Sequence, residues 1–204
     1  MIVVDKKKPI TCKTKETSRP SKDEALRAVE TLIAWIGDNP VREGLIETPH
    51  RVIESYNEIF SGYHKDPHQV LSKTFAEIDN YDEMILVKDI CIESYCEHHM
   101  LPIIGIAHIA YIPTKKIVGL SKLARLADIF AKRLQTQEKL TVQIANSIDE
   151  VLQPLGTAVV IDATHQCMTM RGVHKSDSST VTSKMTGLFN TNAELRKELF
   201  DRLR

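Results

Sequence analysis

The apolar positions of this chain change period along its length, and the change divides it into regions. Leu26, Val29, Ile33 and Ile36 recur at helical spacing behind the capping-box pair Ser21 and Glu24, until Gly37-Asp38-Asn39-Pro40 stops the run. Thr48-Pro49 offers an N-cap and a first-turn proline for a second helix, with Val52, Ile53, Tyr56, Ile59 and Phe60 facing inward and Gly62 closing it. From Met84 to Ile92, and again from Ile103 to Ile112, β-branched residues dominate between turn residues and prolines, so both stretches are predicted strands. Helical spacing returns over Ser121 to Leu134 on Leu123, Leu126, Ala127, Phe130 and Leu134. It resumes from about Glu138 on Leu140, Ile144, Ile148 and Val151, and ends at Pro154-Leu155-Gly156. A further strand is predicted from near Thr157, running on through His165 and Arg171 to Gly172. Thr191 with Glu194 then opens a last helix carrying Leu195, Leu199, Phe200 and Leu203. Trp35 and the lone aromatics of the helices are assigned to the core.

This order predicts an α+β chain with a polar, lysine-rich flexible tail over residues 1–20, an N-terminal helical region over 21–80 and a region over 81–204 that holds the strands. At 204 residues and 42% hydrophobic content, the length suits one ordinary domain with a small helical appendage. Lys+Arg and Asp+Glu number 27 each, so no global field draws the chain to nucleic acid or to an anionic membrane. An anionic substrate would have to be held by local charge. No apolar run approaches the roughly 18 residues of a membrane span, and no apolar segment of a secretory leader follows Met1, so a cytoplasmic protein is expected. Four cysteines at irregular spacing (Cys12, Cys91, Cys96, Cys167) are few for a disulfide framework and fit thiols or metal ligands in a reducing compartment, with a Cys91–Cys96 pair left open.

Two motifs carry the chemistry: Cys96-Glu97-His98-His99 and His165-Gln166-Cys167. Thiols and imidazoles together select zinc and supply protons near neutral pH. Cys96 and His99, three apart, can converge on one ion in a turn, whereas His98 and His99 are adjacent and tend to point apart. On an extended 165–171 segment, period two would put His165, Cys167, Thr169 and Arg171 on one face. Cys96, His99 and Cys167 are therefore the expected ligands, and three protein ligands leave a position for water, as in catalytic sites. His98 and His165 become candidates for general acid and base work. A closed structural site using His98 or His165 as fourth ligand is the alternative. Glu97 invites comparison with zinc nucleobase deaminases, but the order is Cys-Glu-His and no Cys-x-x-Cys exists, so that family is rejected.

Gly119-Leu120-Ser121-Lys122 opens a helix with Arg125 one turn on; free N–H groups, the helix dipole and two cations suit an anion, and Arg171 could add a planar fork for phosphate. An ordinary capped helix with solvated cations is the plain alternative. Gln137 and Glu138, placed in a break between two helices, offer an amide and a carboxylate suited to a guanine edge; a first-turn helix carboxylate is the plain alternative for Glu138. His50, His64, His68, His108 and His174 carry no spacing that suggests a role.

Cys96-Glu-His-His, Gly119-Leu-Ser-Lys-Leu-Ala-Arg125, Gln135-Thr-Gln-Glu138-Lys-Leu-Thr and His165-Gln-Cys-Met-Thr-Met-Arg-Gly172, in this order and spacing, closely resemble the GTP cyclohydrolase I family. The resemblance runs from about Thr48 to the C-terminus and takes in Glu47-Thr-Pro-His-Arg51. It implies a tunnelling fold, an antiparallel sheet with helices packed on one side, as the catalytic domain over 81–204. It also implies a toroidal homodecamer with active sites between subunits, and the conversion of GTP and water to 7,8-dihydroneopterin triphosphate and formate. By matching position, Cys96, His99 and Cys167 resemble the zinc ligands, and His98 and His165 the proton-transfer residues. Ser121, Lys122, Arg125 and Arg171 look like the triphosphate clamp, Glu138 with Gln137 like the guanine anchor, and Arg51 like a contact to the phosphates from a neighbouring subunit. Two rivals are a tunnelling-fold relative such as a nitrile reductase, which would use a cysteine nucleophile, and a non-catalytic zinc-stabilised binding protein.

Overall fold

The computed structural model describes residues 19–75 and 81–204; Cys12 and most of the expected tail lie outside them. The chain divides into two compact units after Ser55.

In the first unit, α1 (Lys22–Trp35) starts where the capping box predicts: the Ser21 hydroxyl accepts from Glu24 N–H and the Glu24 carboxylate accepts from Ser21 N–H. Helix α2 (Thr48–Ile59) begins here and crosses into the second unit. Trp35 is not core. It is 81% exposed at the end of α1, and among the described residues of this unit only Ile33 and Pro49 are buried.

The second unit continues with a 3₁₀ turn (Ser61–His64), α3 (Pro67–Leu71) and β1 (Thr74–Phe75). Its sheet is built on β2 (Ile85–Cys96) and β3 (Pro102–Ile112). After β4 (Ile117–Val118), which pairs with β1, come α4 (Leu120–Ala131), β5 (Leu134–Gln135) and α5 (Gln137–Leu152). The chain ends with β6 (Gly156–His165), α6 (Gln166–Thr169), β7 (Thr180–Met185), α7 (Leu188–Thr191) and α8 (Ala193–Leu203). The five-stranded sheet has the order β5-β2-β3-β6-β7, antiparallel except for the short parallel β5–β2 pair.

Alternation along β3 explains the layers. Ile103, Ala107, Ile109 and Tyr111 face one side and join Leu123, Leu126, Phe130, Leu140, Ile144 and Ile148 of α4 and α5 in the main core. Ala110 and Ile112 face the other side, where Phe189 and Leu199 of α7 and α8 cover one end. The helices thus pack mainly, but not wholly, on one face. At the other end of that face Ile104 and Ile106 remain exposed. Gly105 lets β6 approach: a Cβ there would fall 2.1 Å from Asp162 O.

Besides Trp35, one expected element is shorter than its pattern suggests, and the cysteine pair left open is excluded. The third predicted strand stops at His165, and residues 166–169 turn into α6, so the period-two argument for Cys167 and Arg171 fails. Cys91 and Cys96 lie in one extended strand, about 16 Å apart at ~3.3 Å per residue, and cannot form a disulfide.

Candidate active site

The site is assembled where strand ends meet. Cys96 is the last residue of β2, and a tight turn reverses the chain: Cys96 N–H donates to Leu101 O (2.8 Å) and Met100 N–H to Cys96 O (2.8 Å), with Met100 at φ 53°. Parallel pairing with β5 pins this turn, because Glu97 N–H donates to Gln135 O at 2.9 Å. Arg133 and Leu134, just before Gln135, are themselves tied to the 3₁₀ turn through Gly62 O and the Tyr63 hydroxyl.

Inside the turn, His98 Nδ1 and His99 Nδ1 each lie 3.8 Å from Cys96 Sγ, on rings inclined at 77°. Adjacent histidines here do both approach the thiol, contrary to the simple expectation from neighbouring side chains. Only His99, however, groups with Cys167: one ligand atom each from Cys96, His99 and Cys167 fall within 4.8 Å of one another. Cys167 arrives from α6, two residues after His165 ends β6 opposite Ile103.

The donor set fits a soft divalent cation. Burial pushes the Cys167 thiol up, and so do the charge of Cys96 and the hydrogen bond the two thiols share; Arg171 pulls the other way. A thiol whose ionisation is opposed by burial and by a neighbouring sulfur is a group that a cation between the two would stabilise as thiolate. Arg171 also donates to His99 Nε2 at 3.1 Å, which leaves Nδ1 on the Cys96 side.

His165 is half-buried beside this cluster. Burial holds its pKa below the usual imidazole value, and the Glu138 carboxylate acts against that shift, so Glu138 lies within electrostatic reach. Its Nε2 is 2.7 Å from Gln137 Oε1. Gln137 and Glu138 are not in a break: they form the first turn of α5, capped by Thr136, whose hydroxyl accepts from Lys139 N–H. Glu97 is an exposed carboxylate 3.7 Å from Lys139 Nζ.

Ser121 and Arg125 are exposed and Lys122 is half-buried in the first turns of α4, whose N-cap is Gly119 and carries no side-chain cap. Among the described residues the Lys122 and Arg125 side chains have no hydrogen-bond or ion-pair partner, which leaves both cations open to an anion. Arg51 is an exposed residue of the first unit, on α2. Of the remaining histidines, His108 is buried and accepts the Asp89 N–H, and His68 pairs with Glu150 at 3.3 Å.

What the sequence patterns missed is β7, a short strand whose polar alternation carries little hydrophobic signal. It supplies Thr180 O and Thr182 Oγ1, both bonded to the Gln137 amide.

The family profile described as GTP cyclohydrolase I matches residues 25–204. A protein named GTP cyclohydrolase 1 from Maricaulis maris is 52% identical over 186 residues, covering 91% of this chain and 90% of its own. One of the same name from Allorhizobium ampelinum is 55% identical over 177 residues, covering 87% of this chain and 88% of its own. Among solved structures, an archaeosine synthase QueF-Like in its apo form matches 51% of this chain and 93% of its own, at 13% identity and a TM-score of 0.41.

Proposed function

Because the chain belongs to the GTP cyclohydrolase I family, whose members convert GTP and water to 7,8-dihydroneopterin 3'-triphosphate and formate in pterin and folate biosynthesis, we propose how its own residues divide that work. The α+β architecture, with its sheet and packed helices, is that of the family's tunnelling fold.

Cys96, His99 and Cys167 hold the metal, and two thiols with one imidazole favour zinc. When bound, the ion supplies a Lewis acid able to activate water at neutral pH for attack at C8 of the purine. The observation that carries this reading is the convergence of those three side chains from β2, its turn and α6 beside an imidazole they do not use, His165.

His165 moves a proton to the purine ring nitrogen as the bond to C8 opens, and His98, 3.8 Å from Cys96 Sγ on the exposed side of the turn, assists loss of formate. Glu138 anchors guanine: its carboxylate, held in the first turn of α5, can accept from N1–H and the exocyclic amine together. Ser121, Lys122, Arg125 and Arg171 bind the triphosphate, with the uncapped start of α4 adding its N–H groups. Anchoring both ends of GTP presents C8 to the metal-holding residues. A nitrile-reductase chemistry fits less well, since both site cysteines lie in the ligand cluster and Cys91 is on the sheet.

We further infer a homo-oligomer, a decamer by family analogy, with Arg51 reaching the phosphates of a neighbouring copy. Exposed Leu32, Trp35, Ile36 and Val41 in the first unit support association. Free thiols at Cys91, Cys96 and Cys167 suit a reducing cytoplasm, and no helix among the described residues is long and apolar enough to cross a membrane.

Glu138→Gln tests the anchor. It replaces an acceptor pair by an amide that offers a donor to a donor, so KM for GTP is expected to rise and kcat/KM to fall about a hundredfold or more, with metal content unchanged. Steady-state kinetics with an unmoved KM would remove Glu138 from guanine recognition.

A further inference from the structure

We propose that Gln137 is a positioning residue for His165, fixing which imidazole nitrogen carries the hydrogen, and that its side chain does not read guanine. The inference rests on the reading of His165 as the proton carrier.

Gln137 is 1% exposed. Its Nε2 lies 2.7 Å from Thr180 O and 3.0 Å from Ile161 O, with Thr182 Oγ1 at 3.2 Å. Backbone carbonyls only accept, so the amide group facing two of them must be the NH₂. The reversed amide would set one carbonyl oxygen against two others. Orientation is thus decided by chemistry, and Oε1 is left facing His165 Nε2 at 2.7 Å. An amide oxygen only accepts. His165 Nε2 must therefore be an N–H, and Nδ1 is the nitrogen free to give or take a proton.

A second layer locks the amide. Thr141 donates to Gln137 O at 2.7 Å, and the Thr141 and Thr182 hydroxyls are 2.7 Å apart. With the Thr141 proton committed to Gln137 O, Thr182 donates to Thr141, and its lone pairs face Gln137 Nε2, whose two hydrogens are shared among Thr180 O, Ile161 O and, at the longest distance, Thr182 Oγ1. The chain of bonds runs through α5, β6 and β7 and has one consistent direction. For Gln137 to turn its amide to a guanine edge, it would have to strip buried carbonyls of their donor and release the imidazole at once.

A neutral amide suits this task. It orients the ring as an aspartate would, but adds no charge of its own beside the imidazole.

The test compares zinc-loaded wild type with Gln137→Met, which keeps the length and apolar bulk but removes both polar atoms. We expect kcat to fall about ten- to a hundredfold with KM for GTP, preference for GTP over inosine triphosphate, and metal content all unchanged. A raised KM and lost preference with kcat intact would make Gln137 a guanine reader and overturn the proposal. An unmoved kcat would overturn it too. If wild type itself gave no formate, the reading of the site would fail, a result distinct from either. Neutron diffraction from deuterium-exchanged wild-type crystals needs no variant: deuterium is expected on His165 Nε2, and a bare Nε2 contradicts the proposal.

Discussion

Cys167→Ala is expected to leave the protein unable to retain its metal and to lower turnover of GTP by about a thousandfold or more. The expectation follows from position. Cys167 is the only one of the three clustered side chains that comes from α6, and it closes the group begun by Cys96 and His99 in the turn after β2. Without it, the buried Cys96 thiol and the exposed His99 imidazole remain, too few protein ligands for a stable site. Groups that act as a unit fail nearly as completely when one is removed as when all are. The fold should persist, because Cys167 lies at the edge of the main core and not within the sheet. Elemental analysis of the purified variant beside wild type, with circular dichroism to check folding, decides the matter. A folded variant that keeps a full equivalent of metal would exclude Cys167 from the ligand set.

His165→Ala is expected to behave in the opposite way on the first count and alike on the second. Metal content should stay at the wild-type level, since the His165 ring is tied to Gln137 and is outside the ligand group. Turnover should fall roughly a hundred- to ten-thousandfold, the range for loss of a general acid or base. KM for GTP should move little, because the substrate is anchored by other groups. The pair of variants therefore separates holding the metal from moving the proton. Loss of metal from His165→Ala would make the residue a ligand and point to a closed, structural site.

How much of this was legible in the chain follows from which signals are local. The starts of α1 and α2 were readable because caps and a first-turn proline sit next to the apolar stripes they introduce. Strands β2 and β3 were readable from their β-branched runs, and the turn between them from its spacing of cysteine and histidine. The grouping of Cys167 with Cys96 and His99 was anticipated, but for an incorrect local reason. Alternation along an extended 165–171 segment does not bring them together; the chain leaves β6 at His165 and coils. Short elements were not legible: β5 is two residues long, and β7 has a polar inner edge that packs on Gln137 and Thr141. Trp35 was misplaced because period alone says which face is apolar, and not whether anything covers it. Gln137 is the clearest case of a role set by tertiary structure. Its neighbours Ile161, Thr180, Thr182 and His165 are distant in sequence and come together only when β6 and β7 pair beside α5.

The central claim is that metal held by Cys96, His99 and Cys167 is required for opening GTP at C8, and metal removal tests it most directly. The protein is stripped with a chelator, assayed with GTP for formate and for the fluorescent oxidised pterin, and assayed again after zinc is restored. We expect both products to vanish together on stripping and to return together, in equal amounts, as one equivalent of zinc is added. Full turnover by protein shown to be free of metal, or no formate from protein loaded with zinc, would contradict the account.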